Sequence, residues 1–194
     1  EVEASLTLRD ADPAILIDPF LSYRAVEAFE RMVDLVSRLP ELVANTVMVQ
    51  EQLGFALNRL KRRDEAETVL TNLIADHGPS SETNGILGRV YKDRWDEAKQ
   101  AGNDALAKGY LKKAIDTYLA GFETDWRDAY PGINAVTLME MSDPVDPRQA
   151  ELLPVVRYAV KRRLIDKSPD YWDHATLLEL AVLANDRAGA EGAL

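Results

Sequence analysis

Apolar residues along this chain recur at helical spacing, broken by proline, glycine and acidic turns. Val26, Phe29, Met32, Val33, Val36 and Leu39 step by three and one, drawing one stripe on a helix from about Pro19 to Leu39. Pro40 ends it. A second helix is predicted from Glu41 to Leu60, with Val49, Leu53, Ala56, Leu57 and Leu60 inward. Asp64 stands where an N-cap belongs for a third, which carries Ala66, Val69, Leu70, Leu73 and Ile74 and stops at His77-Gly78-Pro79. Another helix starts near Tyr130-Pro131 and ends around Ser142-Asp143-Pro144. The next begins at Asp146-Pro147 with a kink at Pro154, or starts nearer Leu153. Tyr171-Trp172 opens a further one with Ala175, Leu178 and Val182 inward, and Asn185 to Leu194 begin its partner. Residues 1–18 hold the patch Ala14-Ile15-Leu16-Ile17 between acidic flanks and read as a lead-in or the end of a preceding domain. Residues 19–194 read as one helical domain whose array continues beyond Leu194.

Between these lies the stretch from Ile86 to Glu123, which sets the repeat. Leu87, Gly88 and Tyr91 share one face of a helix, and Ala114 and Tyr118 share a face of the next. A small residue close to a large one lets two helices approach and fill the gap between them. That is the pattern of a tetratricopeptide (TPR) unit. Leu53-Gly54 and Leu87-Gly88 are 34 positions apart, the TPR period. The expected fold is therefore all-α, a TPR-like solenoid of antiparallel helix pairs, near Val47–Ile74 and Ser81–Phe122. Gly54 and Gly88 are expected at close helix contacts. In the second pair Tyr91 and Ala114 are farther apart than the repeat requires, by about fourteen residues. The polar run from Asp96 to Lys108 is taken as an insertion, with Asp93, Asp96 and Glu97 in a polar inter-helix turn.

Composition narrows the function. The 194 residues are 46% hydrophobic and 29% charged, an ordinary globular balance. No apolar run reaches the length of a membrane helix. The chain starts at Glu1 without an initiator Met and reads as part of a longer protein. It has no cysteine, which removes disulfides, thiol chemistry and cysteine metal sites; a reducing, cytoplasmic setting is the expectation. A net charge of −10 opposes nucleic acid as the main partner. His77 and His174 belong to no metal-binding pair, and no phosphate-binding, nucleophile-elbow or kinase motif occurs. No cofactor, metal or catalytic residue is expected. Lys61-Arg62-Arg63 and Lys161-Arg162-Arg163 fall near predicted helix ends, where cations complement the dipole.

Six short pieces then match a known family in its order. They are Leu21-Ser22-Tyr23-Arg24, Phe55-Ala56-Leu57-Asn58-Arg59 and Gly88-Arg89-Val90-Tyr91-Lys92-Asp93, followed by Gly121-Phe122-Glu123, Gly132-Ile133-Asn134 and Tyr171-Trp172-Asp173. From about Leu21 onward the chain resembles the TRAF-binding, central regulatory region of the apoptosis signal-regulating kinases, a branch of the mitogen-activated protein kinase kinase kinases, or a relative of that region in another multidomain signalling protein. The resemblance implies a helical-repeat module that binds signalling partners and positions neighbouring domains of the same chain, without catalysis of its own.

The residues point to where binding would occur. The face beside the packing face of each first helix lines the concave side of a solenoid, where repeat proteins bind partners. Helical spacing puts Phe55, Asn58 and Arg59 there from one pair, and Arg89 and Lys92 from the next. Basic and amide groups of this kind suit an acidic or phosphorylated protein segment. Alternatively, Arg89 and Lys92 pair with Asp93, Asp96 or Glu123 and hold the insertion. Two other functions stay open: Arg89, Lys92 and Asp93 completing the active site of a multidomain enzyme, or an architectural homo-oligomer.

Overall fold

A computed structural model of the chain describes residues 12–166 and 171–192. These residues are helical throughout, joined by short turns, and fall into two compact units divided between Gly78 and Pro79.

The first unit contains α1 (Pro13–Ala25), α2 (Phe29–Arg38), α3 (Glu41–Ala44), α4 (Val47–Arg59) and α5 (Arg63–His77). Sequence periodicity had joined part of α1 to α2 as one helix. The chain instead turns at Glu27, whose φ of 56° is left-handed, and the Ala28 amide closes the turn onto the Tyr23 carbonyl at 2.8 Å. Val26, counted in the apolar stripe, is 73% exposed. The real stripe starts earlier: Leu16 and Phe20, one helical turn apart, are buried against Met32, Leu35, Val36, Leu39, Val43, Val49 and Ala56. Leu16 therefore packs inside the unit although its patch had read as part of a lead-in.

The second predicted helix is also divided, at Asn45-Thr46. Here side chains take over the backbone's bonds: Thr46 Oγ1 donates to the Val43 carbonyl at 2.8 Å and Gln50 Nε2 to the Ala44 carbonyl at 2.7 Å. Short polar side chains that bond locally compete with helix continuation in this way. Leu53 and Leu60 are only partly covered, while Val49, Gly54, Ala56 and Leu57 face inward. Asp64 lies in the first turn of α5 rather than at its cap, which is Arg62 without a side-chain cap bond. Gly78 closes α5 with φ 81°, a conformation that disfavours any side chain.

The second unit holds α6 (Ser81–Gln100), α7 (Asp104–Thr124), α8 (Ala129–Glu140), α9 (Arg148–Asp166), α10 (Tyr171–Leu183) and α11 (Arg187–Glu191). Four starts are capped by a Ser, Asn or Asp side chain, the types that favour this position. Ser80 accepts from the Thr83 amide, Asn103 from Leu106, Asp128 from Tyr130 and Asp186 from Gly189. The inserted residues do not form a loop. They lengthen α6 and α7 to 20 and 21 residues, and only Ala101–Asn103 turn. Asp93, Asp96 and Glu97 are thus helical. The extension carries its own buried side chains, Trp95, Ala98, Ala107 and Leu111, which is why it folds as a hairpin. α9 runs unbroken through Pro154 from Arg148, ruling out a start near Leu153. A second core joins Phe122, Ala129, Ile133, Val136, Val156, Ala159, Val160 and Leu180. Among the described side chains of α10, Leu180 and Ala181 are buried; Val182, expected inward, is 63% exposed.

Candidate protein-interaction surface

Both glycines that set the repeat lie where a side chain has no room. A Cβ on Gly54 would fall 2.6 Å from Leu70, and one on Gly88 would fall 2.7 Å from the Tyr118 ring. α4 packs on α5 and α6 on α7 through these contacts. α6 also touches α8, and α8 touches α10, so the first helices of successive pairs stand side by side.

That row carries Arg89 and Lys92. Arg89 Nε donates to Asp93 Oδ1 at 2.7 Å, and 48% of the arginine side chain remains exposed. Partial burial opposes its charge, but the hydrogen bond and charge of Asp93 prevail and hold the guanidinium above its ordinary pKa. Lys92 reaches across to α8, where Nζ donates to Asn134 Oδ1 at 3.2 Å. Its pKa is lowered, chiefly by burial and then by the neighbouring Arg89, against the pull of Glu179, Asp96 and Asp93. Asn134 Nδ2 in turn donates to the Tyr130 carbonyl at 2.9 Å, and Thr137 Oγ1 donates to Glu179 Oε1 on α10 at 2.6 Å. A polar seam thus ties α6 to α8 and α8 to α10.

Beneath it lies Tyr118. Its ring meets Tyr130 edge-on, with centroids 6.2 Å apart. Its hydroxyl is buried and makes no hydrogen bond of ordinary geometry among the described residues. Burial first, and Tyr130 second, push its pKa far above the usual phenol range, so it stays protonated.

In the first unit Phe55 is the centre of a small cluster. Arg24 and Arg59 guanidinium carbons stand 4.7 and 5.0 Å from its ring centroid, and Phe29 meets it edge-on at 5.9 Å. Arg24 Nη1 also donates to Gln52 Oε1 at 2.6 Å. Asn58 is buried, its side-chain and main-chain carbonyls both accepting from Arg63 Nη1. Phe55 and Arg59 are therefore brought together, and Asn58 points into the α4–α5 turn. Sequence spacing missed Arg24, Asn134, Thr137 and Glu179, because they join these clusters only across helices. Two of them, Arg24 and Asn134, stood inside the family-like pieces quoted above.

His174 is exposed, and no group of three or more His, Asp or Glu is arranged to hold a metal among the described residues. Nor is any helix among them long and apolar enough to cross a membrane.

Antiparallel helix pairs closed by glycine contacts define the class: an all-α, TPR-like helical-repeat fold. Solved structures agree on the fold. A thermophilic TPR protein of Thermus thermophilus superposes with a TM-score of 0.67 at 14% identity, covering 94% of this chain and 88% of that one. MamA from Desulfovibrio magneticus gives 0.58 at 18% identity, covering 79% and 78%.

The chain belongs to the MAP3K TRAFs-binding domain family, whose model matches residues 7–194. It is 30% identical over 195 aligned positions to mitogen-activated protein kinase kinase kinase nsy-1 of Caenorhabditis elegans, covering 90% of this chain and 13% of that protein. It is 27% identical over 186 positions to human mitogen-activated protein kinase kinase kinase 5, covering 89% and 13%. The chain thus spans about an eighth of such relatives, and within that class it is a non-catalytic interaction module.

Proposed function

We propose that this chain is a docking module of a cytoplasmic signalling protein, holding a TRAF-type partner and neighbouring domains of its own polypeptide. On this reading the α6–α8 row receives an acidic or phosphorylated segment. Arg89 supplies the paired donors and Lys92 adds charge. In the first unit Arg59 and Phe55 offer a further contact, with Asn58 supporting it from within the turn. The observation that supports the reading most is Arg89 itself. Asp93 engages its Nε and fixes the side chain, while about half of it stays open to solvent. A guanidinium oriented in advance loses little freedom on engaging a carboxylate or phosphate.

The test pairs melting temperature with affinity for a TRAF domain, on the same variants. Arg89→Ala is expected to weaken binding about tenfold or more at unchanged melting temperature. Arg89→Lys should weaken it too, because lysine keeps the charge but loses the two-pronged geometry. Lys92→Ala should also flatten the salt dependence. Stability lost in step with affinity would instead assign both residues to holding the helices together.

A further inference from the structure

Two arginines of the first unit close on one aromatic ring. Arg24, from the end of α1, and Arg59, from the end of α4, place their guanidinium carbons 4.7 and 5.0 Å from the centroid of Phe55. The two cations are therefore no farther apart than the sum of those distances. Phe55 and Arg59 are one helical turn apart on α4, whereas Arg24 reaches the ring from another helix. Phe29 meets the ring edge-on at 5.9 Å, and both arginine residues are exposed.

What holds these arginines is neutral. Arg24 Nη1 donates to Gln52 Oε1 at 2.6 Å, and Gln52 is only 5% exposed. A buried amide thus fixes the cation where a carboxylate would have neutralised it. The other contact is the Phe55 ring, which attracts a cation without cancelling its charge. Neither arginine forms an ion pair among the described residues. That includes Glu27, three positions after Arg24, and Glu51, one turn before Phe55 on α4. Each arginine stands in the last turn of its helix, where the dipole supplies about half a negative charge. A net positive charge remains on both. Two like charges this close repel each other in the free protein, and an anion that touches both relieves the repulsion.

We propose that Arg24, Phe55 and Arg59 form a site for a phosphorylated side chain of a protein partner. A phosphate monoester carries nearly two negative charges and three acceptor oxygens on one phosphorus. That matches two guanidinium groups, of which a single carboxylate would neutralise one. Stacking on Phe55 orients both groups before binding, so little freedom is lost. On a chain of net charge −10 a long polyanion would be repelled elsewhere, whereas one phosphorylated residue meets only this point. The inference rests on the reading that Phe55 and Arg59 face a partner, and adds Arg24 and the chemistry of what they hold.

The probe is a short fluorescein-labelled peptide of Gly and Ala with one central phosphoserine, read by anisotropy at two salt concentrations. Saturable binding that weakens as salt rises is expected. Arg24→Gln and Arg59→Gln should each weaken it about tenfold or more at unchanged melting temperature. Gln52→Glu should do the same with both arginines still present, because it gives Arg24 an internal carboxylate. Arg89→Ala should leave this peptide's affinity unchanged. The unphosphorylated peptide should not bind, and one with Glu-Glu at its centre should bind about tenfold more weakly or worse. Equal binding of the Glu-Glu peptide overturns the proposal in favour of general acidity. So does absence of saturable binding, or a loss confined to Arg89→Ala. Stability lost in step with affinity in all three first-unit variants makes the arginines braces between α1 and α4. Inorganic phosphate that displaces the peptide at equal concentration gives the site to a free anion, and tighter binding of an oligothymidylate of equal charge gives it to nucleic acid. Failure here leaves the effect of Arg89→Ala on TRAF-domain affinity standing, and failure there leaves this peptide's binding standing.

Discussion

The pairs α4–α5 and α6–α7 use the same device and differ in what surrounds it. In the first, Gly54 admits Leu70, an aliphatic side chain in a helix pair of 13 and 15 residues. In the second, Gly88 admits Tyr118, an aromatic ring with a buried hydroxyl, in a pair of 20 and 21 residues. A leucine contact needs only volume. A tyrosine contact brings a polar atom into the interior, next to Tyr130 and close to Arg89 and Asp93. The repeat is thus a packing rule that tolerates different contents, and the second pair couples its packing to the polar row above it.

The largest test of that difference is Trp95→Ala. Trp95 is 6% exposed in the extended part of α6, a place with no counterpart in the shorter pair. Removing it should cost about 3–5 kcal/mol in chemical denaturation if the extension is packed structure. A loss of a few tenths would show that the extra turns behave as a loop.

Next come the glycines. Gly88→Leu should overpack the contact with the flat, rigid Tyr118 ring and cost about 1–3 kcal/mol. Gly88→Ala should also destabilise, and by more than Gly54→Ala, because Leu70 can change rotamer where a buried ring cannot. Equal melting temperatures for the two alanine variants would erase the distinction between the pairs.

Tyr118→Phe sharpens it from the other side. The hydroxyl is buried and makes no hydrogen bond of ordinary geometry among the described residues, so its removal should leave stability unchanged or raise it by about 1 kcal/mol. A clear loss would reveal a hydrogen bond made in solution.

The smallest effect is expected at Asp146, which the second unit uses to hold Arg148 against Asp116 of α7. The hydrogen bond from Arg148 lowers the Asp146 pKa below its ordinary value. Its contribution is therefore present above the unfolded value, about 3.9, and is lost as pH falls through the lower folded value. Asp146→Asn should flatten the acid limb of the melting curve below about pH 4. The change should be slight, because Arg148 is 42% exposed and water screens the pair.

Much of this was legible in the sequence because helical packing is written locally. A glycine 34 positions from another, each beside a leucine, can satisfy one period only. The pairs α4–α5 and α6–α7, the stop at Gly78 and the start near Tyr130 followed from that period and from residues that fix the backbone. So did the placement of Arg89 and Lys92 on α6, and of Phe55 and Arg59 on α4.

Tertiary structure decided the rest. Periodicity cannot show that Val26 faces water, that Thr46 and Gln50 divide a helix, or that fourteen or so extra polar residues become two helical extensions. Those outcomes depend on what packs opposite: Leu16 and Phe20 supply the core that Val26 was expected to join, and Trp95 and Leu111 give the extension its own. Asn58 looked like an outward donor until Arg63, five residues away across a turn, took both its carbonyl oxygens. Arg24 over Phe55, Lys92 on Asn134 and Trp126 beside Tyr158 join residues far apart in sequence and on different helices or turns. A chain read in order specifies its helices by the spacing of a few neighbours. Which polar groups meet depends on how those helices lie together, and only burial across helices sets that.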